Sequence, residues 1–69
     1  MTMSVALANL LRRAARHRLQ INVWPVDGGF QANVKSGRDD SWSCYTANDA
    51  VTATENALRR KLAVLEPSS

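Results

Sequence analysis

Two runs of alternating apolar and polar residues, joined through Asp27-Gly28-Gly29, constrain this chain more than any other feature. Leu19-Gln20-Ile21-Asn22-Val23-Trp24 and Phe30-Gln31-Ala32-Asn33-Val34-Lys35 both repeat with period two, the spacing of a strand that buries one face. Pro25 and the turn Val26-Asp27-Gly28-Gly29 close the first run, and Asp-Gly followed by Gly tolerates the positive φ angles of a tight hairpin. A polar loop, Ser36-Gly37-Arg38-Asp39-Asp40-Ser41, leads to a short third run from Trp42 to Tyr45. Consecutive strands usually pair, so the expectation is a three-stranded antiparallel meander.

A helical period flanks this sheet on both sides. Met3, Leu7, Leu10, Leu11, Ala14 and Ala15 share one side of a helix that Thr2 or Ser4 caps and that ends near His17 or Arg18. Asn9, Arg12, Arg13 and Arg16 take the other side, with His17 at its margin. After the third strand, Thr46 offers an N-cap with Asp49 three residues on. Ala50, Val51, Thr54, Ala57, Leu58, Leu62 and Leu65 form the apolar stripe of the second helix, and Glu55 can pair with Arg59. Glu66-Pro67 ends it. The expected fold is α+β, in the order α-β-β-β-α, with both helices on one face of the sheet. Residues 1–66 are read as a single domain and residues 67–69 as a frayed tail.

A sheet covered on one side offers its other side to solvent or a partner. That open face is expected to carry Gln20, Asn22, Trp24, Gln31, Asn33, Lys35, Ser43 and Tyr45. Ile21, Val23, Phe30, Ala32, Val34, Trp42 and Cys44 would then lie against the helices. Strand polarity places Trp24, Gln31 and Tyr45 in one row. Amides with two large aromatics suit a contact surface, so Trp24, Gln31, Asn33 and Tyr45 are the candidate partner-binding or dimer residues.

Sixty-nine residues lie near the lower size limit for an unstapled fold, and the single cysteine excludes an intrachain disulfide. Oligomerisation is a common remedy for so small a core, and a homodimer is expected. The net charge is +3, and its placement matters more than its size: residues 1–26 hold four arginines and no acid. Arg12, Arg13, Arg16 and His17 form a basic ridge that suits an acidic protein patch or, as an alternative, nucleic acid. The same charges at a helix C-terminus also fit its dipole. The positive cluster follows the apolar run Val5–Leu11, the reverse of a secretory signal, and no run approaches membrane-spanning length. A cytoplasmic chain without membrane contact is expected.

Catalytic and metal chemistry find no residue constellation. His17 has no serine or cysteine at a known spacing. Cys44, read as core-facing, would be a poor nucleophile. Asp39 and Asp40 supply too few oxygens for a cation and read as a charged hairpin tip. Gly28-Gly29 lacks the context of a phosphate loop. Neither an enzyme nor a cofactor is expected.

The stretch Ile21-Asn22-Val23-Trp24-Pro25-Val26-Asp27-Gly28-Gly29-Phe30-Gln31-Ala32-Asn33-Val34 resembles the opening hairpin of HicB-like antitoxins. In that family a third strand leads into an alanine-rich helix, and Thr46-Ala47-Asn48-Asp49-Ala50 through Glu55-Asn56-Ala57-Leu58 is similar. The likeness implies an oligomeric module that sequesters a partner protein. This chain departs from the family in its leading helix and in lacking a proline-rich segment before the third strand. The element order also resembles double-stranded-RNA-binding domains, whose basic cluster opens the second helix. Here Thr46, Asn48 and Asp49 stand there instead. In size and layout the chain is similar to small early proteins of temperate phages that inhibit host regulators. The resulting expectation is a non-catalytic module that binds and occludes a larger host protein, such as a transcriptional regulator, toxin or motor protein.

Overall fold

A computed structural model describes residues 4–37 and 42–66. Helix α1 spans Val5–Arg16, strands β1, β2 and β3 span Gln20–Val26, Gly29–Lys35 and Trp42–Ala47, and helix α2 spans Ala50–Leu65. The strands form one antiparallel sheet in the order β1-β2-β3, so the chain is an α-β-β-β-α fold of the α+β class. The Asp39-Asp40 hairpin tip lies outside the described residues.

Each helix starts on a side-chain cap. Ser4 Oγ accepts the Leu7 amide at 2.9 Å and fixes the start of α1. The start of α2 falls later than the sequence suggests. Asp49, not Thr46, is its N-cap, accepting the Thr52 amide at 2.8 Å and the Thr52 hydroxyl at 2.9 Å. Thr46 is instead consumed by β3, where it pairs with Gln31. These bonds from Thr52 hold the Asp49 carboxyl below its usual range. The hairpin turns at Gly28, whose φ of 84° is easy only for glycine. Pro25 does not stop β1, which runs on to Val26; β1 is an edge strand, where proline is tolerated.

The two reversals of the meander leave β3 parallel to β1, and α1, which leads into β1, likewise runs parallel to α2, which follows β3. Two polar ties show it. Near the starts of the helices, Ser4 Oγ donates to Glu55 Oε2 at 2.6 Å. At the ends, Glu66 receives Arg13 at 2.7 Å and His17 at 2.8 Å. Glu55 also meets Arg59 one turn on, at 3.7 Å.

The core is small and built from short side chains. Leu7, Leu10 and Ala14 of α1 meet Ala53, Ala57, Leu58 and Leu62 of α2, over Ala32 and Val34 of the central strand. Leu11, Leu19, Ile21, Phe30, Ala47 and Val51 pack around its margin. Helix α2 rests mainly on β2 and β3, and α1 packs against α2. The inner side of β1 is therefore covered least, and Val23 stays 40% exposed there. Both helices share one core on one side of the sheet, and the other side is open.

Lys61 is fully buried on α2, as is Ser36 at the end of β2. Neither stood out in the sequence, where Lys61 follows Arg59 and Arg60 as part of a cationic run.

Candidate functional site

The open face follows from register. Partners across an antiparallel ladder share a face, and neighbours along a strand alternate. Ala32 and Val34 are buried under α2, so Val23 and Tyr45 (the partners of Ala32), and Ile21 and Ser43 (those of Val34), belong to the helix side. The open face consequently carries three rows: Gln20-Lys35-Trp42, Asn22-Asn33-Cys44 and Trp24-Gln31-Thr46.

This arrangement corrects the sequence expectation in the third strand. Tyr45 does not join Trp24 and Gln31; Thr46 takes that place. Tyr45 turns toward α2, where the Arg60 guanidinium lies 5.3 Å from its ring centroid. Trp42 and Cys44, expected in the core, face outward and are exposed. Trp24, Gln31 and Asn33 keep their expected face, with Gln31 Nε2 donating to Asn33 Oδ1 at 3.1 Å along the strand.

The second aromatic of the open face is thus Trp42. Its ring lies beneath Lys35 Nζ, 5.6 Å from the centroid, across the ladder pair that the two residues form. Trp24 and Trp42 remain 40% and 42% exposed, the two largest side chains of the chain and both outside its core. Lys35 is the one charged residue on this face among those described. Carboxamides, a threonine hydroxyl and the Cys44 thiol complete it.

The basic ridge divides. Arg13 and His17 turn in to grip Glu66, and the bond from His17, followed by that from Arg13, holds the Glu66 carboxyl below its usual value. A carboxylate only accepts, so the His17 Nε2 that meets it carries the proton. Arg12 and Arg16 stay exposed, Arg12 beside Asn9 at 3.0 Å. Two of the four candidate residues therefore serve first as a clamp between helix ends.

An open cleft of 830 Å³ lies at that same end, lined by Arg16, His17, Arg18, Ser36, Gly37 and Leu65. Arg18 follows the α1 C-cap with a φ of 53°, a position that usually belongs to glycine. The sequence carried a weak signal for it, an arginine where a helix stops and a strand begins. None of the residues lining the cleft belongs to the three rows of the open face.

Among the described residues, no group of three or more His, Cys, Asp and Glu side chains could hold a metal ion, and no helix is long and apolar enough to cross a membrane. Comparisons of the chain with protein-family models, curated proteins and solved structures return no match.

Proposed function

We propose that this chain is a non-catalytic protein-binding module that modulates a larger protein by covering part of its surface. The observation supporting this is the open sheet face, nearly free of charge among the described residues and carrying two exposed tryptophans on a three-stranded scaffold. Exposed indoles supply large contact area at low entropic cost, and they dominate the energetics of protein interfaces. The outward Arg12 and Arg16 give the opposite side of the molecule a second surface, suited to an acidic patch on the target. A host regulator, toxin or motor protein is the class of target that such a small two-sided module fits.

The nucleic-acid reading has weaker support. Phosphate recognition wants several converging cations, and Glu66 takes two members of the ridge.

The test uses the full chain. Proteins captured from its native host are purified and titrated with wild type, with a Trp24→Ala/Trp42→Ala variant and with an Arg12→Ala/Arg16→Ala variant. Saturable binding that one of these variants weakens by about tenfold or more supports the proposal, in line with interface hot spots. Binding that both variants leave unchanged defeats it. So does saturable uptake of DNA or RNA that falls steeply with salt and needs Arg12 and Arg16.

A further inference from the structure

From the composition and layout of the open face we infer that its occupant is a second copy of this chain, joined face to face about a two-fold axis near Asn33. The inference rests on reading that face as a protein contact surface, and it names the protein.

Charge selects the partner. The chain carries a net +3, and α1 displays Arg12 and Arg16 outward, so most approaches of two copies meet like charge. The open sheet face escapes this, because Lys35 is its one charged residue among those described, and that ammonium sits over Trp42. Beside the Thr46 hydroxyl and the Cys44 thiol, its polar groups are the carboxamides of Gln20, Asn22, Gln31 and Asn33, which both donate and accept and so complement themselves. An acidic protein would find too little positive charge here. Single-stranded nucleic acid would find indoles to stack on but no cationic groove to track its backbone.

Geometry suits a two-fold. Trp24 is on β1 and Trp42 on β3, two rows apart, with Asn33 on the central strand and the middle row. Strand spacing and residue rise place the two about 17 Å apart across the face, with Asn33 at the midpoint. A two-fold axis through Asn33, lying along the line of the indoles or across it, sets each indole against an indole of the other copy. Such an interface is isologous, and closes at two chains.

Energetics favour covering this face. Among the described residues, four of the nine that form the core are alanines, and both tryptophans lie outside it. A standard interface takes about 800 Å² from each partner. That is roughly a sixth of this chain's 4687 Å².

Cys44 provides a native probe. It is the single cysteine of the chain, exposed in the isolated subunit, and it pairs with Asn33 in the middle row. The mass of the full chain is measured by sedimentation over a range of concentrations, and the rate of Cys44 alkylation by iodoacetamide is followed on the same samples. The expected result is a mass of twice 7.6 kDa at high concentration. Alkylation of Cys44 should slow about tenfold once most chains are paired, because only the free chain reacts. Trp24→Ala/Trp42→Ala and, separately, Asn33→Lys should yield monomers with concentration-independent alkylation. Circular dichroism identifies which variants remain folded, and either one suffices for the test. Arg12→Ala/Arg16→Ala should remain dimeric.

A monomer at every concentration overturns the inference, as does a dimer whose Cys44 reacts at the monomer rate or a folded Asn33→Lys that still pairs. A monomer whose target binding requires Trp24 and Trp42 leaves the proposed function standing and assigns the face to the target. A protected dimer without any target does the reverse.

Discussion

Gly28 and Gly29 look interchangeable in the sequence, yet the structure gives them different work, and alanine substitution should separate them. Gly28 holds the left-handed φ of 84°, and a Cβ there meets nothing within 4 Å. The cost of Gly28→Ala is then backbone strain alone, about 1 kcal/mol. Gly29 has no such φ. A Cβ on it would lie inside the contact radius of the Ala47 carbonyl oxygen, 3.0 Å from its carbonyl carbon and 3.3 Å from Asn48 Cα. All three are backbone atoms, so no side chain can rotate away. Relief requires the end of β3 to retreat, opening the Phe30–Ala47 pair, two residues before the Asp49 cap of α2. Losing one or two ladder hydrogen bonds at about 1 kcal/mol each, with disturbed packing around Ala47, puts Gly29→Ala at about 2–4 kcal/mol. A core of this size supplies about 3–5 kcal/mol in all, so Gly29→Ala should leave the chain barely folded. Urea unfolding followed by circular dichroism measures both, at one protein concentration so that self-association cancels. Gly28→Asn should be milder than Gly28→Ala, since asparagine accepts this φ more readily. A Gly29→Ala variant as stable as Gly28→Ala would refute the close approach of β2 to β3.

Arg18→Gly should stabilise the chain by about 1 kcal/mol, because it removes a left-handed arginine just after α1; an unchanged or lower midpoint would show that the arginine side chain more than offsets that strain. Leu58→Ala should cost about 2–5 kcal/mol, since Leu58 is completely buried between α2 and the sheet, and urea midpoints measure it. Glu66 titrates at a lower pH in the folded chain than its usual 4.5, so its clamp contributes fully above that value and is lost as pH falls through the lowered folded value. Stability measured from about pH 7 to about pH 3 should drop more steeply for wild type than for Glu66→Gln, and parallel curves would remove the clamp. Asp49→Ala should lower the melting midpoint while Thr46→Ala leaves it nearly unchanged, because the cap of α2 is Asp49.

Local chemistry alone determined most of the framework. Period-two alternation with Asp27-Gly28-Gly29 specified the β1–β2 hairpin and its two faces, since a long run of alternation has one sensible register. The Leu7-Leu10-Ala14 stripe specified α1, with the structure choosing Ser4 over Thr2 as its cap, and Glu66-Pro67 marked the end of α2. Trp24, Gln31 and Asn33 could be placed on the open face for the same reason. The facing of β3 could not be read this way. Trp42-Ser43-Cys44-Tyr45-Thr46 places a large ring on either face, so its pattern is nearly indifferent to a one-residue shift. Packing broke the tie: Ala47 faces inward beside Phe30, and Tyr45 reaches from beneath α2 to Arg60. That choice moved Trp42 and Cys44 outward. The clamp of Arg13 and His17 on Glu66 was equally hidden, because its partners are 53 and 49 residues apart in the chain. Short-range periodicity reports what each segment buries. Which segments meet, and which charges are thereby used up, is decided when three strands return α2 parallel to α1.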